Sequence, residues 1–222
     1  MTDGLNPPKA MHIFFDLDGT LVDSFPGIEH SALTAIGAIL PERATAIPDL
    51  RRLIGPPVRK IFATALPGLD VATLDILERT FRQHYNTEGW RQTFAQPGAV
   101  ATLAALRARG HTLYVLTNKP FIPARAILDD LALAPYLSGI ITPDSSTPPF
   151  PTKTAAALAA RDRLTPPAAL VVGDAVDDAE AAAACGFRFC AVTCGYGQPH
   201  LSCGYPVHFR INALIELLNC LD

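Results

Sequence analysis

The chain predicts an α/β fold, a doubly wound parallel sheet interrupted by an all-helical insertion, and three observations carry that expectation. Short, nearly all-apolar runs such as HIFFDL, LYVL, ALVVG and FRFCAV read as strands covered on both faces, because a strand with one wet face would alternate. Helical periodicity separates these runs, and strand–helix alternation with right-handed crossovers builds a parallel sheet. From about residue 25 to 92, by contrast, only helical patterns occur.

The elements follow in order. His12 to Leu17 is the first strand. GIEHSALTAIGAIL (Gly27 to Leu40) has helical spacing and stops at Pro41; PDLRRLI, VRKIFATAL and DVATLDILERTFRQHY continue the helical stretch. After Gln96-Pro97-Gly98 the rhythm changes to helix Ala99–Arg109, strand HTLYVLTN, helix Pro123–Leu131 and strand SGIIT. A Pro- and Ser-rich loop leads to a helix from Lys153 to Leu164, then strand AALVVGD, helix AVDDAEAAAACG with its Gly C-cap, strand FRFCAVT and a closing helix INALIELLNC. This order reads as a Rossmann-like core, residues 1–24 and 93–222, with a helical cap over 25–92. Open α/β sheets bind ligands at the carboxyl ends of their strands, so the cap is expected over that edge.

Bulk properties narrow the function. With 222 residues, 49% of them hydrophobic, the chain can bury one good-sized core and a smaller appendage. Eighteen basic against 21 acidic side chains, net −3, argue against a nucleic-acid or membrane-surface binder. The N-terminus has no signal-peptide h-region and no apolar run nears the roughly 18 residues of a membrane span, so a cytoplasmic protein is expected. Five cysteines fall between Cys185 and Cys220. Cys190, Cys194, His200, Cys203 and His208 offer zinc-type donors without a paired Cys-x-x-Cys spacing, and buried apolar cysteines are the preferred reading.

The polar residues that strand burial does not explain fall at strand ends. Asp16 and Asp18 end the first strand in FFDLDGTLVDS; Thr117, Asn118 and Lys119 end LYVL; Asp174, with Asp177 and Asp178 behind it, ends ALVVG; Lys153 opens a helix. Parallel strands bring these ends to one edge. Two carboxylates so close to a sheet repel each other unless a cation, a proton or a substrate compensates them. Asp16, Asp174 and Asp178 are hard oxygen ligands suited to Mg²⁺. A Thr117 hydroxyl and a Lys153 ammonium suit phosphate oxygens, and phosphoryl transfer asks for such a nucleophile, cation and fixed positive groups.

At DLDGTLVDS, TNK, a downstream Lys and VGDAVDDAEAAAACG, the chain resembles the haloacid dehalogenase-like phosphatases over nearly its whole length, helical cap included. The resemblance implies Asp16 as nucleophile forming an aspartyl-phosphate and Asp18 as acid and base. It implies Thr117 and Lys153 as phosphate holders. Mg²⁺ would be held by Asp16, the Asp18 carbonyl and Asp174, with Asp178 in support. The chain departs from many relatives in having Lys153-Thr154 in place of Lys-Pro, and in the extra acid Asp177, which can serve the metal or only the helix N-terminus. LIGPPVRKIF resembles the GPP cap segment of phosphoglycolate phosphatases, which implies Gly55, with Asn118 and with Arg59 or Lys60, as substrate contacts; an interhelix turn with a solvated basic pair is the bland alternative. VTCGYG resembles their glycine-rich segment, where Tyr196 serves packing.

The expected activity is hydrolysis of a small, phosphoglycolate-like phosphate monoester. A sugar phosphomutase and a nucleotide or pyrophosphate hydrolase of the same superfamily are alternatives. Asp18 argues against a dehalogenase. A receiver-like phospho-binding module is the non-enzyme alternative, disfavoured by motif order and by the second Asp of DxD. The expected partner is a small phosphorylated metabolite, with neither nucleic acid nor membrane, acting on a monomer or small homo-oligomer.

Overall fold

The computed structural model describes residues 10–44, 47–165, 169–197 and 204–221. The chain begins with β1 (His12–Phe15), β2 (Val22–Asp23), α1 (Phe25–Ile39), α2 (Val58–Ala65), α3 (Val71–Thr87) and β3 (Phe94–Ala95). It continues through α4 (Ala99–Ala108), β4 (Thr112–Leu116), α5 (Phe121–Asp130), β5 (Gly139–Ile141), α6 (Lys153–Arg161), β6 (Ala169–Gly173), α7 (Val176–Cys185), β7 (Arg188–Val192) and β8 (Phe209–Ile211).

β1 is central in a six-stranded sheet of order β5-β4-β1-β6-β7-β8, all pairs parallel. Its registers, Phe14↔Tyr114 and Phe14↔Val171, align the strand ends that carry the polar residues. The two-residue period puts Ile13 and Phe15 into one hydrophobic cluster, with Val115, Val172, Leu103 and Ile127, and Phe14 into the other, with Val171, Phe189, Ala156 and Ala182. Both faces are therefore covered, which is why the strands read as continuous apolar runs.

The helices between β2 and β3 have a third cluster of their own, built on Ile28, Ala32, Ile36, Phe62, Leu77, Phe81 and Tyr85. α3 starts where Asp70 accepts the Thr73 N–H at 2.7 Å, an N-cap that satisfies one free donor of the first turn. Phe62 is fully buried, and its truncation to Ala would cost on the order of 3–5 kcal/mol. The chain enters and leaves this block through an antiparallel ribbon, β2 on β3, with Val22 opposite Ala95.

Two expected helices are corrected, while two-residue β2 and β3, for which the sequence raised no expectation, are too short to show a period. PDLRRLI forms a 3₁₀ turn, Leu50–Leu53, because a run that short between prolines cannot sustain the α-helical ladder. The closing helix is shorter than expected: Ile211 ends β8, paired with Val192, and only a 3₁₀ turn (Leu214–Glu216) and a helical turn (Leu217–Cys220) follow. Among the described cysteines, all free, Cys185 and Cys190 are buried as expected, whereas Cys194 is exposed. His200 and Cys203 lie outside the described residues. Among those described, no helix is long and apolar enough to cross a membrane.

Candidate active site

Asp16 extends β1 by one residue, its N–H donating to the Val172 carbonyl at 2.9 Å, so its side chain leaves the sheet at the carboxyl edge. The backbone then turns sharply, with Leu21 and Val22 both donating to the Leu17 carbonyl. Gly19 makes this turn at φ +91°, and a Cβ there would stand 2.5 Å from Asp174 Oδ2. Only glycine both adopts that angle and admits the neighbouring carboxylate. Thr20 Oγ1 donates to Asp174 Oδ1 at 3.0 Å, while the Tyr196 and Gly197 N–H groups take Asp174 Oδ2 at 2.7 and 3.0 Å.

Asp16, Asp174 and Asp178 present carboxylate oxygens all within 4.8 Å of one another, and all three are buried. Lys153 Nζ donates to Asp16 Oδ1 at 2.8 Å and to Asp178 Oδ1 at 2.7 Å. Lys153 is the first residue of α6, where the helix dipole favours an anion, so its ammonium is held there by these two acids and not by helix preference. One ammonium faces three carboxylates. Burial pushes the Asp16 carboxyl well above its ordinary range, Lys153 draws it back, and Asp178 and Asp174 push it further up. Burial likewise raises Asp174, against the Gly197 N–H and Thr20, and pushes Asp178 up to about 7 against Lys153. Buried oxygen donors with an excess of negative charge are what a small divalent cation needs, and Mg²⁺ fits this set. Asp178 is the member of the GDAVDD pair in the trio; Asp177 instead accepts a hydrogen bond from Asn118 Nδ2. The Asp18 side chain is not in the trio. It accepts hydrogen bonds from Ser24 Oγ and from Lys119 Nζ, the latter at 3.0 Å.

Thr117 Oγ1 accepts the Lys119 N–H at 3.1 Å, which leaves its own proton to donate to a phosphate oxygen. Asn118 Nδ2 also donates to the Gly55 carbonyl at 3.1 Å, joining the β4 loop to the GPP segment. Asp16, Asp18, Thr117, Asn118 and Gly55 line one cavity of about 90 Å³ between the sheet edge and the helices.

Arg59 does not line it. Its guanidinium pairs with Asp75 and, at 3.7 Å, with Glu78, because the α2 face that carries it packs toward α3. The arginine that does line the cavity is Arg82 on α3. Sequence reasoning passed over Arg82; its only signal was its place on the same α3 face as Phe81, Tyr85 and Asn86. It also left Lys119 without a role, although TNK already placed that lysine at a strand end. Tyr196 does more than pack: its hydroxyl accepts the Ser24 and Phe25 N–H groups at 2.8 and 3.0 Å and donates to Asp23, which pins the start of α1 to the loop that cradles Asp174.

A family model described as haloacid dehalogenase-like hydrolase matches residues 10–186. The chain is 35% identical over 206 residues to a phosphoglycolate phosphatase of Rhodospirillum rubrum, covering 86% of this chain and 82% of that one. It is 32% identical to a plasmid-encoded phosphoglycolate phosphatase of Cupriavidus necator, covering 94% and 90%. Among solved structures, a haloacid dehalogenase-like family hydrolase from Streptococcus pneumoniae superposes with a TM-score of 0.83 at 27% identity, over 96% of this chain and 99% of that one.

Proposed function

Since the chain belongs to the haloacid dehalogenase-like hydrolases and is a phosphoric monoester hydrolase, we propose that it cleaves a small, phosphoglycolate-like phosphate monoester through a phosphoryl group carried on Asp16. The observation that carries this reading is the buried trio of carboxylates beside Lys153 at one end of a small cavity.

The chemistry follows from the side chains. A carboxylate oxygen of Asp16 attacks phosphorus as the bond to the ester oxygen breaks, and Asp18 gives that leaving oxygen a proton. Asp18, now a carboxylate, takes a proton from water; the water oxygen bonds to phosphorus, the Asp16–phosphorus link breaks, and inorganic phosphate leaves. The Thr117 hydroxyl and the Lys153 ammonium hold the equatorial oxygens throughout. Asp16, the Asp18 carbonyl and Asp174, with Asp178 in support, would hold Mg²⁺, which would supply positive charge to offset both the phosphate and the carboxylates.

The helices of residues 25–92 act in this reading as a cap on the core formed by 1–24 and 93–222. Asn118 and Gly55 form one contact between the two, and a cavity of this size suits a compact metabolite in the cytoplasm. The test is phosphate release from a panel of esters in Mg²⁺. We expect 2-phosphoglycolate to exceed mononucleotides, pyrophosphate and hexose phosphates in kcat/KM by at least about tenfold. A clear win by one of those competitors overturns the substrate assignment, and isomerisation of a sugar phosphate without phosphate release replaces it with a mutase.

A further inference from the structure

Lys119 is only 8% exposed, yet it forms part of the cavity wall. Its ammonium has three N–H donors. One reaches Asp18 Oδ1 at 3.0 Å and one the hydroxyl of Tyr85, from α3, at 2.9 Å, with the Tyr85 ring centroid 4.6 Å away. Burial works against the charge, but Asp18 and Tyr85 raise its pKa further, so the ammonium is retained. The third donor has no protein partner among the described residues. Asp18 Oδ1 already accepts from Ser24 and Lys119, so Oδ2 is left to meet the leaving oxygen at about 3 Å, which puts Nζ within about 8 Å of that oxygen. A carboxylate on the carbon next to the leaving oxygen extends into that gap.

The rest of this wall is mostly apolar, with Ile54, Ile61, Phe81 and Pro123. The lining cations are Lys119 and Arg82. Glu78 takes Nε and Nη2 of Arg82, at 3.0 and 2.7 Å, and Nη1 has no protein partner among the described residues. Two cationic donors on an apolar wall discriminate strongly, because their hydrogen bonds to a carboxylate are charge-assisted, a neutral amide offers only a weaker acceptor, and an apolar tail leaves the third Lys119 N–H without one.

We propose that Lys119 and Arg82 form a subsite for a carboxylate on the alcohol part of the substrate, and that this pair selects the substrate. The inference rests on the phosphatase reading and adds to it the residues that recognise the tail. Lys119 thereby serves both ends of one contact: it holds Asp18 in place and receives the group beside the oxygen that Asp18 protonates.

The test compares 2-phosphoglycolate, its neutral amide of the same size, and the smaller ethyl phosphate. Wild-type protein should favour the carboxylate over the amide by about 100-fold in kcat/KM. Lys119→Met should bring that ratio to within about threefold of unity, mostly through KM for 2-phosphoglycolate, with a smaller loss for ethyl phosphate from the disturbed Asp18. Arg82→Met, at a partly exposed side chain, should lower the ratio about tenfold, and carries the test if Lys119→Met fails to fold. If both variants slow all three esters equally and keep the ratio, Lys119 and Arg82 are only structural and the subsite is overturned while the phosphatase reading stands. If wild-type protein releases phosphate from all three at equal efficiency, the subsite and the phosphoglycolate assignment fall together. If it releases phosphate from none, the phosphatase reading falls as well.

Discussion

At the sheet edge, Asp16, Asp174 and Asp178 face a single ammonium, whereas across the cavity Arg82 and Lys119 line an apolar wall. The first region is held by strand ends and the loops and helices behind them: Asp16 by its bond to Val172, Asp174 by Thr20 and two loop N–H groups, and Asp178, on α7, by Lys153 on α6. The second is held largely by the packing of α3, which supplies Tyr85 and Arg82. Each charge at the sheet edge has an assigned chemical task. On the helical side the charges instead decide which molecule is brought to that chemistry. Phosphoryl transfer and substrate choice therefore draw on largely different elements that meet at Lys119, and away from that residue they should respond separately to mutation.

The largest effect is expected at the sheet edge. Asp16→Asn should lower turnover at least about a thousandfold for every ester alike, with an unchanged circular-dichroism spectrum, because an amide is a poor nucleophile. An Asp16→Asn protein that keeps a substrate-dependent residue of activity would break the separation. Asp174→Asn should raise the Mg²⁺ concentration needed for half-maximal activity by roughly 10- to 100-fold while leaving the order of substrates unchanged. Titration of phosphate release against Mg²⁺ reads both.

A pH-dependent metal effect comes next. In the metal-free protein the Asp178 carboxyl stands at about 7 against an ordinary 3.8, with Asp16 and Asp174 displaced the same way. A carboxyl whose folded pKa is raised adds stability while protonated, and that contribution is lost as pH rises from about 4 through about 7. The rise in Tm on adding Mg²⁺ should therefore be larger at about pH 8 than at about pH 5.5. Taking the difference with and without Mg²⁺ cancels titration elsewhere in the chain, and an equal rise at both pH values would contradict the account. The smallest effect belongs to Arg59. Arg59→Ala removes a partly exposed pair with Asp75 and Glu78, worth no more than about 1 kcal/mol, so the carboxylate preference should change less than about threefold in steady-state kinetics.

The two regions also differ in how far the sequence discloses them. Asp16, Asp18, Thr117 and Asp174 each follow an apolar run, and carboxylates crowded at a strand end are costly without a counter-charge, so both place and chemistry could be read. Lys153 needed the family resemblance, since a lysine opening a helix is normally solvated. Arg59 and Arg82 look alike in one dimension: each is a basic residue on an amphipathic helix. Which of them enters the cavity is decided by how α1, α2 and α3 pack around Phe62, Leu77 and Phe81, and no local pattern encodes that. Lys119 was visible but ambiguous, because its partner Tyr85 lies 34 positions away. The sheet core was legible from burial on both faces, while β8 and the short β2 and β3 were too brief to show a period.

The covalent step through Asp16 is tested most directly in Asp18→Asn with 4-nitrophenyl phosphate. Its leaving group departs without a proton donor, so the first step can proceed, whereas the second lacks its base. The account predicts one equivalent of nitrophenolate per protein in a rapid burst, then a stall, with phosphate recovered by mass spectrometry on the peptide that contains Asp16. Steady release with no burst, or phosphate found on any other residue, would contradict it.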